Sequence, residues 1–550
     1  MTTQVTLTTL FEKQVVLAPP CYIGLLNSDV LFQIFSLVVN LQSPNEEAPV
    51  ILSKVSPIWR LLVINAPTLW TQIRIHEPLR ASKSHIMFRR TLRRTHYFLE
   101  RSQKCPLKLD ITIQTLHMRK TPMHHETHPY REFISGFRRC TMQLSRILGA
   151  HAARFAEFRL RADELTSVAD IEKYIPCAPM PFLTYWRVAQ NASHTVLDPH
   201  PLYEVKNSQL SFLLRPDDSL DDCSKDLFPN LRRVRLISIP LDWDKFGPAN
   251  LSSLSLSLLP NSARPTASAL CKLLLASAPT LEILDLDGCV RIDTQVSSYI
   301  PFTLPHVHTL TLGYRFAQEL IPLLHAIHLP HLRSLALTDH YQRLRHRSGA
   351  RTSRFDRRID PLLRTLTENF PLRQLTRLAL HHIRFLPSSA QERAAFGGEF
   401  GNVPNAHGAF IPTTLFAFLS ALTELQALVL TGPDYTLLEA LGYAPPAPRR
   451  IVCTSTGTRE EDAKPGIRPV PRLEFLSLAA FNIFAVRNYL IFRYMSDQPP
   501  LATLEFHMPV GWLRSKHLLL AEKVARATAI VPITLRRNEE ADLWREVGIE

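Results

Sequence analysis

Three histidines fall within residues 124–128 in the pattern H-H-x-x-H, and Cys105 and Cys140 lie nearby in the sequence. Imidazole and thiolate groups are the ligands that Zn²⁺ prefers, so this group is the best candidate for metal chemistry in the chain. However, Pro122 and Pro129 flank the histidines, and the helical H-E-x-x-H arrangement that places two imidazoles and a carboxylate base on one face is absent. We therefore interpret the segment as a surface loop and predict no metal site.

No other pattern typical of an active site occurs in the sequence. It contains no glycine-rich phosphate-binding loop, no G-x-S-x-G nucleophile elbow and no set of protein-kinase motifs. The eight cysteines are scattered without a C-x-x-C pair, which argues against a zinc knuckle or a disulfide framework, and we expect reduced, mostly buried thiols. The sequence therefore predicts a protein that is not an enzyme, with no catalytic residue and no cofactor.

The chain is basic, with a formal net charge of +14 over 550 residues. The excess comes largely from residues 80–146 and 343–358, and clustered arginines of this kind can attract nucleic acid or acidic partners. No zinc finger, RNP tract or recognition-helix pattern accompanies them, so we favour a solvated basic face or an acidic protein partner over nucleic acid. The tract R-R-T-L-R-R at residues 89–94 is compatible with a nuclear localisation signal or with the polar side of a helix.

The composition indicates a chain that can bury a large core, because 45% of its residues are hydrophobic. No stretch approaches 18 apolar residues, and the amino terminus lacks the charged-then-apolar plan of a signal peptide. We therefore expect a soluble protein of the cytoplasm or nucleus without a membrane partner.

Residues 24–75 read as a compact unit of short helices. We expect Ser28 to cap the first helix, Pro49 to open a second and Pro57 to open a third, before residues 72–75 alternate as a strand does. The first helix has one wide apolar face, formed by Val30, Leu31, Ile34, Phe35 and Val38. Three helices of this size cannot bury all of that apolar surface alone.

The residue types and offsets in this unit resemble an F-box. The family pattern is roughly L-P-x-E-I-L-x-x-I-F, then L-x-x-V-x-x-x-W-R, then P-x-L-W. It is matched here by Leu26, Asp29, Val30, Leu31, Ile34, Phe35, Leu52, Val55, Trp59, Arg60, Pro67, Leu69 and Trp70. The closing P-x-L-W is similar to the form common in fungal F-box proteins. Asn27 stands where the family usually has a proline that stiffens the start of the first helix, and Ser56-Pro57 stands where it usually has a cysteine or basic residue.

The resemblance implies that this unit binds a Skp-family adaptor, and through it a cullin-based ubiquitin ligase, without catalysis of its own. The adaptor-binding residues that it implies are Leu26, Asn27, Val30, Leu31, Ile34, Phe35, Leu52, Val55, Trp59, Leu69 and Trp70. We expect Leu31 to be exposed and Trp59 to belong partly to the core. The alternative is an ordinary three-helix cap on a larger domain, since Leu, Ile and Trp at helical spacing are usually core residues.

A strand signature, L-x-x-L-x-L, recurs along the rest of the chain and is typical of leucine-rich repeats. Copies occupy residues 231–236, 251–256, 281–286, 307–312, 332–337, 375–380, 425–430, 473–478 and 501–506, with weaker copies at 155–160 and 183–188. From Leu236 to Leu337 the last positions advance by 20, 30, 26 and 25 residues, and the next intervals widen to 43, 50 and 48 residues. The wider intervals indicate insertions or decayed repeats.

Helical segments lie between these strands, at residues 269–275, 319–324, 361–366, 415–419 and 486–492. The alternation predicts an α/β fold in which a parallel sheet lines the concave side of a leucine-rich-repeat solenoid, with helices outside. We divide the chain into four parts on this basis. They are a loose tail over 1–20, an F-box-like helical domain over 21–78, a basic linker with the first repeat elements over 79–150, and the repeat domain over 151–550 with insertions near 341–358, 387–410 and 433–469. Residues 444–469 have the composition of a disordered segment.

Strand residues between the leucines should face the concave surface and be free to contact a ligand, which we expect to be a protein. The target-binding candidates are Arg233, Arg235, Asp285, Asp287, Arg377 and His381, accompanied by Ser255, Thr311 and Phe475. A plainer interpretation is that most of them are solvated strand residues.

Three functions stay open: a substrate receptor of a ubiquitin ligase, a non-catalytic repeat scaffold that binds proteins, and a basic protein associated with nucleic acid.

Overall fold

The computed structural model has a mixed α/β fold, as the alternation of strand and helix patterns predicts. The structure describes residues 26–40, 48–78, 84–114, 128–163, 165–172, 179–190, 228–241, 248–260, 263–290, 301–340, 359–383, 413–432, 435–442, 450–454, 457–461, 470–479, 501–508 and 533–537, with isolated positions and short pairs between them. No helix in these ranges is both long enough and apolar enough to cross a membrane.

The chain begins its described part with three short helices, as predicted. These are α1 (Ser28–Asn40), α2 (Ala48–Val55) and α3 (Pro57–Ile64), followed by a 3₁₀ turn at Pro67–Trp70. Pro49 lies in the first turn of α2, and the hydroxyl of Ser56 accepts the N–H of Trp59 at 3.2 Å at the start of α3. The predicted starts of the second and third helices are therefore confirmed.

A parallel sheet of fourteen described strands follows. The strands are β1 (Gln72–Pro78), β2 (Leu107–Gln114), β3 (Phe155–Ala162), β4 (Tyr185–Gln190), β5 (Arg233–Ile237), β6 (Ser253–Ser257), β7 (Ile283–Asp287), β8 (Thr309–Tyr314), β9 (Ser334–Asp339), β10 (Arg377–His381), β11 (Ala427–Thr431), β12 (Phe475–Ala479), β13 (Thr503–Met508) and β14 (Ile533–Arg537). Each pairs in parallel with its neighbour in sequence order. All eleven copies of the strand signature coincide with β3 to β13, so this prediction is confirmed, whereas β2 and β14 were not predicted.

Two ladders of leucine run across the sheet in register. The first contains Leu254, Leu284, Leu310, Leu335, Leu378, Leu428, Leu476 and Leu504, and the second contains Leu236, Leu256, Leu286, Leu312, Leu337, Leu380, Leu430 and Leu478. All are buried. Because successive side chains of a strand point to opposite faces, two leucines two residues apart direct the same face of each strand into the core. Each buried leucine contributes about 1.5 to 3 kcal/mol to stability.

Helices occupy many of the connections between strands. They are α4 (Ser84–Arg101), α5 (His128–Gly149), α6 (Leu165–Glu172), α7 (Ala267–Ser277), α8 (Ile321–Ala326), α9 (Asp360–Asn369), α10 (Thr413–Ala421) and α11 (Tyr435–Gly442). The predicted helices at 269–275, 319–324, 361–366 and 415–419 are confirmed by α7 to α10, while most of 486–492 lies outside the described residues. One hydrophobic core joins the sheet to the N-terminal helices, from Leu31 to Leu504.

The insertions are described only in part. Residues 1–20 and 341–358 lie outside the described residues, as do His124 and His125, whereas His128 is the first residue of α5. Two small antiparallel pairs lie apart from the main sheet, Val403–Pro404 with Phe410–Ile411 and Arg450–Thr454 with Gly457–Glu461. The second pair lies within residues 444–469, for which disorder stays a prediction outside these two strands.

Candidate functional site

Large apolar side chains are exposed mainly on the N-terminal helices. Thirteen large hydrophobic residues are exposed in the described part of the chain, and ten of these fall within residues 23–61. The ten are Ile23, Leu26, Val30, Phe32, Leu37, Val38, Ile51, Val55, Ile58 and Leu61. Single exposed apolar residues are normal on a protein surface, but such a concentration marks an interaction site. We call these ten residues the apolar surface.

Helical spacing groups the apolar surface by helix. On α2, Ile51 and Val55 are four residues apart, and on α3, Ile58 and Leu61 are three apart, so each pair shares one side of its helix. The most exposed members are Leu37 and Ile58, at 67% each, and Leu61, at 64%. All three helices therefore present apolar groups to solvent. Helices whose apolar residues lay only on the face that packs on the core would not do so.

The structure divides the predicted adaptor-binding residues into three groups. Leu26, Asn27, Val30 and Val55 are exposed, Ile34 and Trp59 are half-buried, and Leu31, Phe35, Leu52, Leu69 and Trp70 are buried. The expectation that Leu31 is exposed is wrong, since only 4% of it is accessible and it belongs to the core. The expectation for Trp59 is confirmed, because it is half-buried and packs against that core.

Seven members of the apolar surface were missed as binding residues. They are Ile23, Phe32, Leu37, Val38, Ile51, Ile58 and Leu61. Val38 belongs to the apolar face predicted for α1, and the signal for Phe32, Leu37, Ile51, Ile58 and Leu61 was the apolar content of α1 to α3 outside that face, which is visible in the sequence. Residue offsets taken from the family pattern favoured the positions that pack inward instead.

Two tryptophans hold the helices in place. The ring of Trp59 lies 4.7 Å from that of Phe35, measured between centroids, which ties α3 to α1. The indole N–H of Trp70 donates to the carbonyl of Val63 at 2.8 Å, and its ring meets Tyr97 and Phe98 of α4 edge-on at 5.3 and 5.0 Å. Trp70 therefore anchors the end of α3 to the first long helix beside the sheet.

Asn27, and not Ser28, caps α1. The Asn27 side-chain oxygen accepts the N–H of Val30 at 2.9 Å, and its backbone carbonyl accepts the N–H of Leu31 at 3.1 Å. The prediction of a Ser28 cap is therefore wrong by one residue. Asparagine is among the best N-cap residues because its short side chain reaches the unpaired N–H groups of the first turn.

The basic stretch at residues 89–94 lies within α4. Phe88 and Leu92 are buried on one side of this helix, while Arg89, Arg90 and Arg93 are exposed. The interpretation of these arginines as the polar side of a helix is confirmed, and a role as a nuclear address stays a prediction.

The predicted target-binding residues occupy the sheet face opposite the leucine ladders, but they differ in exposure. Arg233 and Arg377 are exposed, and Arg235 and His381 are half-buried. The ring of His381 lies within hydrogen-bonding distance of the Thr431 hydroxyl, 3.0 Å from Nδ1 to Oγ1. These four residues agree with the expectation that residues between the leucines avoid the core.

Asp285 and Asp287 do not stand free on that face. The hydroxyl of Ser255 donates to Asp285 at 2.7 Å, and Nε2 of His340 lies 2.5 Å from Oδ1 of Asp287. Both aspartates are buried, so the expectation that they are free to contact a ligand is wrong. Gly313 makes room for the Asp287–His340 pair, because a Cβ there would lie 1.9 Å from Oδ1 of Asp287.

A buried His–Asp pair is one part of a general-base arrangement, but its surroundings favour a structural role here. The side chain of His340 is inaccessible to solvent, and that of Asp287 is 4% accessible. Burial, reinforced by the charges of Asp285 and Asp287, holds the pKa of the Cys289 thiol well above its ordinary value, so this neighbour stays protonated. Within the described ranges, no group of three or more His, Cys, Asp or Glu side chains is placed to hold a metal ion.

A scan against models of known protein families finds no match for this chain, and a search of curated protein sequences finds none either.

Proposed function

We propose that this protein is a substrate receptor of a cullin-based ubiquitin ligase. In this proposal residues 21–78 are an F-box that binds a Skp-family adaptor, and the strand array is a leucine-rich-repeat solenoid that binds a protein target. The observation that carries the proposal is the apolar surface, which exposes eight large hydrophobic side chains on α1 to α3 and two just before α1, in a segment whose residue pattern resembles an F-box. The protein itself would perform no catalysis.

The apolar character of this surface suits a protein interface. A standard interface buries about 800 Å² on each partner and has an apolar centre. Leu37, Ile58 and Leu61, each about two-thirds exposed, are suitable central contacts. Covering them with a partner would remove apolar area from water, which is the main driving force of association.

The connection between the helices and the sheet also supports a receptor. A receptor has to hold its target near the adaptor, so its two binding units need a packed joint. Trp70 and Phe98 supply such a joint between the 3₁₀ turn and α4. The hydrophobic core that begins at Leu31 and Phe35 continues into the strands.

The alternative is a repeat scaffold without a role in ubiquitin transfer, in which α1 to α3 only cover the end of the sheet. The burial of Leu31, Phe35 and Leu52 favours such a cap. A capping unit is expected to have a polar outer face, however, because its outer side stays in water. Exposed Ile51, Ile58 and their neighbours do not fit that expectation.

Co-purification tests the proposal. The double variant I58E/L61E places two charges on the exposed side of α3 and should abolish capture of a Skp-family adaptor by the intact chain. L275E is the matched control, since Leu275 is 51% exposed on α7, outside the apolar surface. Both variants should unfold at the temperature of the unmodified protein. Adaptor capture by a correctly folded I58E/L61E protein would contradict the assigned surface.

A further inference from the structure

Five arginines gather on three adjacent strands of the sheet. Arg159 and Arg161 lie on β3, Arg187 on β4, and Arg233 and Arg235 on β5. Arg159 is directly opposite Arg187, which in turn is opposite Arg235. Their buried neighbours along each strand point into the core, whereas the arginines are exposed or half-buried. We call these five residues the arginine cluster.

The positive charge of the cluster is only partly compensated. Glu157 pairs with Arg159 at 3.0 Å, but it also pairs with Lys108 at 3.0 Å, so one carboxylate serves two cations. Across the described part of the chain, Arg187 and Arg235 form no ion pair, and Nε of Arg235 is buried without a hydrogen-bond acceptor. A buried polar group normally has a hydrogen-bond partner, so this N–H is unsatisfied in the unbound protein.

The arginines also act on one another. Like charges directly opposite each other on neighbouring strands are destabilising, and strands in a sheet are about 4.8 Å apart. Burial, followed by the charge of Arg235 and weaker contributions from Arg161 and Arg159, lowers the pKa of Arg187. An anion placed between these side chains would relieve that repulsion.

An aromatic ring stiffens the same surface. The ring of Tyr185 on β4 lies between two guanidinium groups, with the central carbons of Arg159 and Arg233 at 5.0 and 4.8 Å from its centroid. Such contacts hold arginines in place while leaving their N–H groups available. The cluster is therefore a set of positioned donors.

We infer that the arginine cluster binds an anionic segment of a partner protein through carboxylate or phosphate side chains. Arginine forks bind both groups in a bidentate manner. The inference rests on the proposed function only in identifying that segment as part of the target.

The extent of the positive charge favours a short peptide over nucleic acid. In the row that contains Arg159, Arg187 and Arg235, the next residue on one side is Asp110 and the second on the other side is Asp285. Acidic residues therefore flank the cluster on both sides. The cluster spans three strands, a width of about 10 Å. A nucleic-acid strand usually requires a longer basic groove that follows its backbone.

Fluorescence anisotropy on the full chain tests the inference. The labelled probes are a peptide rich in glutamate, a peptide of equal length with phosphoserines, a glutamine peptide and a single-stranded DNA of similar length. The protein should bind both anionic peptides, more weakly at higher salt, and ignore the glutamine peptide. The stronger of the two anionic peptides identifies the preferred anion. Tighter binding of the DNA than of both peptides would overturn the inference.

Variants locate the site. R187Q/R235Q should weaken peptide binding at least about tenfold, whereas R377Q, at an exposed arginine on the same face of β10, should stay within about twofold of the unmodified chain. Unchanged affinity of R187Q/R235Q would overturn the inference. Because the repulsion between the arginines is removed, the unfolding temperature of this variant should be no lower than that of the unmodified chain. If it does unfold earlier, R187K/R235K replaces it, and loss of the bidentate geometry should still weaken binding of the anionic peptides.

Adaptor capture by the same preparations separates this inference from the proposed function. R187Q/R235Q should lose the peptide and keep the adaptor. An unmodified chain that binds the peptide through the cluster but captures no adaptor would contradict the ubiquitin-ligase role and leave the anionic-peptide site standing.

Discussion

The side-chain oxygen of Asn27 accepts the backbone N–H of Val30 at 2.9 Å, which places the N-cap of α1 where F-box proteins usually have a proline. Val30 is exposed and belongs to the apolar surface, while the next residue, Leu31, is buried in the core. The cap therefore fixes the start of α1 just before Val30, the first exposed residue of its outer side, and Leu31, the first buried residue of its inner side. Asparagine supplies by hydrogen bonding the local order that a proline supplies through its fixed φ angle.

Replacing Asn27 by alanine should loosen α1. Loss of an N-cap side chain costs about 1 kcal/mol, which corresponds to a roughly fivefold larger population of the opened helix. Hydrogen exchange of the α1 amides measures this change. N27D is the control, because aspartate caps as well as asparagine and should exchange at the original rate. Equal exchange in N27A and the unmodified chain would show that the cap contributes nothing.

Replacing Trp70 by phenylalanine should lower the thermal stability of the protein. The change removes the indole N–H that donates to the carbonyl of Val63, and this carbonyl keeps only the backbone N–H of Ala66 at 3.3 Å and that of Asn65, so the lost hydrogen bond should cost about 0.5 to 1.5 kcal/mol. The comparison is W59F at the half-buried Trp59, which should cost less. A larger loss in W59F than in W70F, measured by thermal unfolding, would contradict the role of Trp70 as the joint to α4.

Replacing Gly313 by alanine should destabilise the sheet near the Asp287–His340 pair. The new Cβ would lie 1.9 Å from Oδ1 of Asp287 and 2.6 Å from Nε2 of His340, so these groups must move, at a cost of about 1 to 3 kcal/mol. Gly136 in α5 offers a matched control, because a Cβ there meets nothing within 4 Å. G136A should stabilise the protein by about 0.5 to 1 kcal/mol. Thermal unfolding of the two variants should therefore shift in opposite directions, and a neutral G313A would argue against a tightly packed pair.

Replacing Glu157 by glutamine should change stability in a pH-dependent way. Burial raises the pKa of Glu157, but hydrogen bonding and attraction to Lys108 and Arg159 outweigh it, and the pKa lies below its ordinary value. The ion pairs therefore stabilise the fold above the pKa that Glu157 has in the unfolded chain, and this stabilisation is lost as the pH falls through the lower pKa of the folded state. E157Q should cost about 1 kcal/mol or less at pH 7, because Lys108 and Arg159 are partly solvated.

Two measurements test this pH dependence of stability. Thermal unfolding of E157Q and of the unmodified chain should converge only when the pH has fallen below the lowered pKa of the folded state, where the glutamate is protonated in both states. At neutral pH the variant should also bind the anionic peptide more tightly, since Arg159 loses its competing carboxylate. A stability difference that grows towards acidic pH would contradict this assignment.

Strand positions could be predicted from the sequence far better than the exposure of individual side chains. The spacing of Leu281, Leu284 and Leu286 predicts β7 because a strand that buries one face needs apolar residues at alternate positions. Strand β2 carries the same signal in Leu109, Ile111 and Ile113, but its alternation does not fit the repeat signature and it was missed.

Side-chain exposure depends on partners that are distant in sequence. Asp287 lies on the expected face of its strand, yet His340 packs against it from 53 residues away, so the local pattern gives no indication of burial. The inward face of α1 likewise depends on where the sheet lies. For this reason Val30 and Leu31 both belong to the apolar face that the sequence predicts for α1, although Val30 is exposed and Leu31 is buried.

Calorimetric titration of the full chain with a purified Skp-family adaptor tests the central claim most directly. The proposal predicts a one-to-one complex with a dissociation constant of about 1 μM or lower and a negative change in heat capacity, the mark of apolar surface buried on binding. Absence of binding, or binding without a heat-capacity change, would contradict the account of the apolar surface as the adaptor site.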